Sequence, residues 1–192
     1  MADKPEQQEP DFGALTATIG QKYKALSPHT QSFVVGYGDP AKNIGGGPIE
    51  FYPPWESENP HPGKPALMIF DKNIKGDALE SMILGDMLHY LAAVNPETGK
   101  PVDPEWRRMR ERLMTLRGPK NLEMDRRTYE QSKKDYKEKR SFSDWLDTSR
   151  ADAYVRGYLT PDERDEWRKA GVYSPDMTKI LDRMRGYLET GK

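Results

Sequence analysis

Residues 79 to 94, LESMILGDMLHYLAAV, constrain the fold more than any other stretch of the chain. Leu79, Met82, Ile83, Leu84, Met87, Leu88, Tyr90, Leu91 and Val94 fall on every side of a helix wound at 3.6 residues per turn. A helix that is apolar all round has no face to offer water, so it must lie at the centre of a domain with other elements wrapped around it. No apolar run in the chain approaches the roughly 18 residues that a membrane span requires. Three residues interrupt the apolar surface: Gly85, Asp86 and His89. Gly85 and His89 are four apart and nearly aligned, whereas Asp86 and His89 project about 60° apart around the axis.

The elements that must wrap this helix can be read from local signals. Asp3, Glu6, Glu9 and Asp11 stand against Lys4 alone, which predicts a disordered acidic tail over residues 1–11 and one domain over 12–192. Leu15, Ile19, Tyr23 and Leu26 recur at helical spacing, with Asp11 as N-cap and Ser27-Pro28 as the stop. The runs QSFVVGYG, PIEFY and PALMIF predict two or three short strands, separated by Gly45-Gly46-Gly47-Pro48 and the loop PPWESENPHPGKP. PALMIF is continuously apolar and is expected to be buried on both faces. Residues 12–75 thus hold a helix and a small sheet.

From 76 to 192 the pattern is helical. Asp77 and Glu80 have capping-box spacing ahead of the apolar helix. Asp103-Pro104 opens a second helix, which Gly118-Pro119 stops. Asn121 is the expected cap of a third, running to about Arg140, and Ser143 of a fourth, DWLDTSRADAYVRGYL. Thr160-Pro161 and Ser174-Pro175 open the last two. The fold class is α+β and helix-dominated, with the small N-terminal sheet packed on a C-terminal helical bundle.

Composition removes several function classes. The chain has no cysteine, hence no disulfide, thiolate metal site or cysteine nucleophile. Its net charge of −1 gives no bulk attraction to nucleic acid or anionic lipid. The N-terminus, MADKPEQQEPDFG, lacks the basic-then-apolar order of a signal peptide, so the expectation is host cytoplasm or virion, without secretion and without membrane contact. Ser27, Ser32 and Ser149 have no nucleophile elbow around them, and GYGDPAKNIGGGP lacks the order of a phosphate-binding loop. His29 and His61 lie beside prolines in loops and are expected at the surface. Between Trp106 and Arg140, 13 Lys/Arg stand against 6 Asp/Glu, and Arg107, Arg108, Arg110 and Arg112 crowd the start of that stretch. These arginines either decorate the solvated back of a helix whose core stripe is Trp106, Met109 and Leu113, or contact an acidic protein surface or nucleic acid. Trp55, in the stiff loop from Pro53 to Pro65, is a second candidate contact residue.

An apolar strand feeding a buried helix that ends in a histidine, followed by a helical C-terminal half, resembles the zincin metallopeptidase scaffold over residues 31 to 95. Zincins carry HExxH on that helix, with two histidines binding zinc and the glutamate acting as base on the bound water. Here the motif reads Gly85-Asp86-Met87-Leu88-His89. The resemblance implies that His89 matches the second zinc histidine and Asp86 the catalytic glutamate, one methylene shorter. Gly85 stands where the first histidine would and can ligate nothing. It points to Asp152, in SRADAYVRGY, as the matching third ligand. By helical spacing Asp152 shares a face with Trp145, Ser149 and Arg156.

Three functional expectations follow. The first is a zincin-like fold without zincin chemistry, a pseudoenzyme without cofactor that serves as a structural or protein-interaction domain. The segment SRADAYVRGYL and the general character of the chain are similar to phage-encoded proteins found near structural genes, which adds virion assembly or homo-oligomerisation to that expectation. The second is a divergent metal-dependent peptidase or hydrolase, with Asp86 as base and Asp86, His89 and Asp152 holding zinc or another divalent metal. The third is a nucleic-acid-binding accessory protein acting through the four arginines, for which binding must fall steeply with salt.

Overall fold

The computed structural model describes residues 10–38, 49–55, 66–71, 73–136 and 140–192. The acidic stretch 1–9, the glycine-rich loop 39–48 and residues 56–65 of the proline-rich loop, His61 among them, lie outside the described residues.

Helix α1 spans Phe12–Lys22, and Asp11 caps it by accepting from the Ala14 amide at 2.9 Å. It stops at Tyr23, short of Ser27-Pro28, and those two residues instead open a 3-10 turn over Ser27–Ser32. Proline suits the start of that turn because the N–H it lacks would have no partner within it.

Strands β1 (Phe33–Gly38), β2 (Ile49–Tyr52) and β3 (Ala66–Asp71) form one mixed sheet in the order β1-β3-β2. β1 runs parallel to β3, pairing Phe33 with Ala66, and β2 runs antiparallel to β3, pairing Phe51 with Met68. The PALMIF run supplies the central strand, but its burial alternates. Ala66, Met68 and Phe70 are fully buried, while Leu67 and Ile69 on the other face are only half-buried. One covered face rather than two is the correction to the expected pattern.

The apolar helix is α2, Asp77–Ala92, and it is central: Leu79, Ile83, Leu84, Met87, Leu88, Tyr90, Leu91 and Ala92 are all buried. The expected capping box does not form. Gly76, at φ +58°, is the N-cap, and Asp77 and Glu80 lie in the first turn, where their charge favours the positive end of the helix dipole. After α2 the chain makes a hairpin that helical periodicity does not announce, β4 (Val94–Asn95) against β5 (Lys100–Pro101). Asn95 Oδ1 accepts from the Glu97 amide at 2.8 Å, and Gly99 takes φ +64° to close the turn.

Helix α3 (Pro104–Thr115) is capped by Asp103, which accepts from the Trp106 amide. Trp106 is fully buried and donates through Nε1 to the Leu88 carbonyl at 3.0 Å, tying α3 to α2. Helix α4 spans Pro119–Tyr136. Asn121 lies inside it rather than capping it, buried and donating from Nδ2 to the Val172 carbonyl at 2.7 Å. Ser141, not Ser143, caps α5 (Phe142–Trp145), which continues through a π-helical turn over Leu146–Arg150 into α6 (Ala151–Leu159).

The π turn shifts the helical phase, so Trp145 does not share the face of α6 that carries Asp152 and Arg156. Trp145 and Leu146 join Tyr129 in a small separate core, whereas Asp152 turns towards α2 and α3. Helices α7 (Pro161–Lys169) and α8 (Pro175–Thr190) complete the bundle. Met177, Leu181, Met184 and Leu188 of α8 are buried. Ser174 Oγ accepts from the Met177 amide at the start of α8. Ser174→Ala should therefore lower stability by about 1 kcal/mol in urea unfolding; an unchanged midpoint would mean that the cap carries no weight. Among the described residues no helix is long and apolar enough to cross a membrane.

Candidate functional site

Asp152 is the centre of the buried ionic chemistry. It lies in the first turn of α6, 4% exposed, with both carboxylate oxygens engaged. Arg110 of α3 donates from Nε to Oδ1 at 3.0 Å and from Nη2 to Oδ2 at 3.1 Å, a two-point pairing that suits a planar guanidinium. His89 of α2 approaches Oδ2 through Nδ1 at 3.1 Å. Burial alone would raise the Asp152 pKa; the charge of Arg110 and the hydrogen bond and charge of His89 outweigh it and hold the carboxyl below its ordinary range. Against an ionised carboxylate Nδ1 of His89 carries the proton. The ring is 27% exposed at its side chain and meets Phe51 of β2 edge-on at 5.8 Å. The centre thus sits where α2, α3 and α6 meet, with β2 against its histidine.

Asp86 has the opposite environment. Its Oδ2 is shut off from solvent without a hydrogen-bond partner. Burial, reinforced by the negative charge of Asp152 and opposed by Arg156, raises its pKa to about 8. At neutral pH Asp86 is therefore mostly a neutral acid beside an ionised neighbour. Arg156 of α6 is the cation that acts on it, and its Nε is likewise buried without a partner. The same arginine stands over Gly85: a Cβ built on Gly85 would meet Arg156 Cδ at 3.9 Å.

The structure thus brings His89 and Asp152 into contact and sets Asp86 within electrostatic reach of both Asp152 and Arg156. Among the described residues, no group of three or more His, Cys, Asp or Glu side chains is arranged to hold a metal ion. The four arginines of α3 do not form one surface. Arg110 is 9% exposed and points inward to Asp152, which corrects its placement on a contact face. Arg107 donates to the Ala92 carbonyl and to Glu111, Arg108 pairs with Glu105 at 2.7 Å, and Arg112 is exposed. Trp55 is half-buried and stacks on Tyr90 at 6.1 Å, the same ring that meets Phe33 and His29 edge-on. His29 is therefore packed rather than free, and burial lowers its pKa, with Asp103 opposing.

A second buried ionic centre escapes sequence reasoning. Asp125 of α4 is fully buried and accepts from Arg150 Nε at 2.5 Å, from Arg117 Nη1 at 3.4 Å and from the Tyr154 hydroxyl at 2.9 Å. Burial, then the charge of Asp125, raises the Tyr154 pKa. The one sequence signal is that Asp125 lies four residues from both Asn121 and Tyr129, on the buried stripe of α4. Arg110 and Arg117, counted with the basic stretch, are spent inside, which shrinks the positive surface that stretch implied.

These features define a helix-dominated α+β domain with a small mixed sheet and two arginine-neutralised carboxylates in its interior. Set against known proteins, the chain matches no protein-family model, no curated protein and no solved structure.

Proposed function

We propose that the chain is a non-catalytic, zincin-like domain that serves as a structural or protein-interaction component, with a phage virion as the setting its sequence character favours. One observation carries this reading: both oxygens of the buried Asp152 carboxylate are engaged by Arg110 and His89. A carboxylate held in this way works as a core tie between helices rather than as a group free to meet substrate or metal. Gly85, which offers no donor at the first-histidine position, supports the same reading.

Elemental mass spectrometry of the purified protein tests it, with His89→Ala as control. Less than about 0.1 equivalent of any transition metal is expected in both proteins. A one-to-one metal in the wild type that His89→Ala loses would sink the reading.

A second reading, a divergent metal-dependent hydrolase, has one observation in its favour. Asp86 is a carboxyl whose pKa of about 8 lies near physiological pH, three residues from a histidine oriented through Nδ1. The same metal measurement separates the two.

A further inference from the structure

We infer that Arg117 and Arg150 form a binding site for a phosphate group, built over the buried carboxylate of Asp125 and separate from the Asp152 centre. A charge imbalance in the interior carries the inference. Asp125 is fully buried, and two guanidinium groups converge on it: Arg150 Nε donates to Oδ1 at 2.5 Å and Arg117 Nη1 to Oδ2 at 3.4 Å. The Tyr154 hydroxyl adds a third donor, 2.9 Å from Oδ2. One carboxylate thus faces two cations whose side chains are only 16% and 12% exposed, Arg117 and Arg150 in turn. It balances one of them. The other keeps a positive charge largely out of water, where an anion of fitting shape is favoured. A further carboxylate, Glu163, lies beside Gly157 and Tyr173 and is ion-paired to neither arginine, so it does not cancel the excess by contact.

The donors that remain fit an oxyanion. Arg117 spends Nε on the Met114 carbonyl and Nη1 on Asp125. Arg117 Nη2 and both Nη atoms of Arg150 bond to nothing among the described residues, and none of the three is shut off from solvent. The Arg150 guanidinium stands 5.2 Å from the ring centres of both Tyr154 and Trp167. Such stacking occupies the faces of the group and leaves its in-plane N–H bonds to point outward. Two planar forks beside one carboxylate match the several oxygens of a phosphate group. Arg150 is also the last residue of the π turn, a rare helical form that recurs at functional sites. The exposed arginines Arg107, Arg108 and Arg127 differ, because each has its own carboxylate, Glu111, Glu105 and Glu123 in turn.

Calorimetric titration of the full-length protein with inorganic phosphate at constant ionic strength tests the inference, in wild type, Arg117→Met and Arg112→Met. Arg117→Met removes the excess charge and leaves Asp125 paired with Arg150 and Tyr154. Circular dichroism melts establish that each protein is folded. Arg112 is exposed and lies outside the cluster, so its loss changes the net charge equally without touching the site. Arg112→Met should bind phosphate as the wild type does, and Arg117→Met at least about tenfold more weakly. Phenyl phosphate distinguishes the source of the group: tighter binding than inorganic phosphate assigns the site to a phosphate ester, weaker binding to the free ion. Wild type that binds neither compound up to about 10 mM overturns the inference. So does an affinity that Arg117→Met leaves unchanged, or that Arg112→Met lowers equally. Should Arg117→Met fail to fold, Arg117→Lys decides, since it keeps the charge and lacks the fork: at least about a threefold loss of affinity is expected, and wild-type affinity refutes the site.

Discussion

Asp152→Ala should lower the stability of the protein by about 3–5 kcal/mol, the usual cost of removing one partner from a buried ion pair. The loss does not measure the attraction between Asp152 and Arg110. It arises because Arg110, 9% exposed, keeps its charge and has no other carboxylate among the contacts described for it. His89 loses the acceptor of its Nδ1 proton as well. Urea unfolding would report the change as a lower midpoint at an unchanged slope. A double variant, Arg110→Met with Asp152→Leu, replaces both charges with apolar groups of similar length and should recover most of the loss. A cost for Asp152→Ala below about 1 kcal/mol would mean that the guanidinium escapes to water, and the centre would then be no tie between α2, α3 and α6.

Asp86→Asn should change stability in the other direction, and by an amount that grows with pH. The folded-state pKa of Asp86, about 8, lies above its ordinary value of 3.8. Between those values the folded chain holds a proton that the unfolded chain has released, so stability falls as pH rises. The contribution is whole below about pH 4, declines through neutrality and is exhausted above about pH 8. At about 1.4 kcal/mol per pH unit the upper bound is about 6 kcal/mol. The residue as a whole is only half-buried, with Oδ2 the atom shut off from water, so about 1–3 kcal/mol is the expected size. Asparagine keeps the shape and cannot ionise. Wild type and variant should therefore differ little at pH 5 and separate by about 1–3 kcal/mol in favour of the variant near pH 8.5. Any constant offset from the new amide cancels in that comparison. A gap that stays flat from pH 5 to 8.5 would show that Asp86 does not titrate in this range.

The contrast between these two aspartates was only half legible in the sequence. Asp86 stands out because apolar residues surround it on its own helix, and that pattern needs no knowledge of the fold. The all-round apolarity of residues 79–94 likewise set α2 at the centre, and Asp11, Asp103 and Ser174 cap the helices they precede. Each of those caps is a bond across three residues, so its signal lies within one turn of chain. The failures are of the same kind in reverse. Asp77 and Glu80 have capping-box spacing, but the backbone enters α2 through Gly76 at φ +58°, a geometry that letters alone do not carry. The π turn at Leu146–Arg150 rotates Trp145 and Asp152 into different cores, which a fixed period of 3.6 cannot anticipate.

Arg110 shows where local reading ends. It lies four residues after Trp106 and one after Met109, at the margin of the buried stripe of α3, where a charged side chain can face either way. Its inward turn is decided by Asp152, 42 residues further along, and the position of Asp152 is decided in turn by the phase of the π turn. Asp125 is the same case, with Arg117, Arg150 and Tyr154 gathered from three segments. What the sequence determined by itself, then, is the set of helices, most of their ends and the helix at the core, because propensity, capping and apolar periodicity act over a few residues. Only the tertiary structure decided which charges are interior and how they pair, because a buried charge is stable only where a partner from a distant segment offsets its lost hydration.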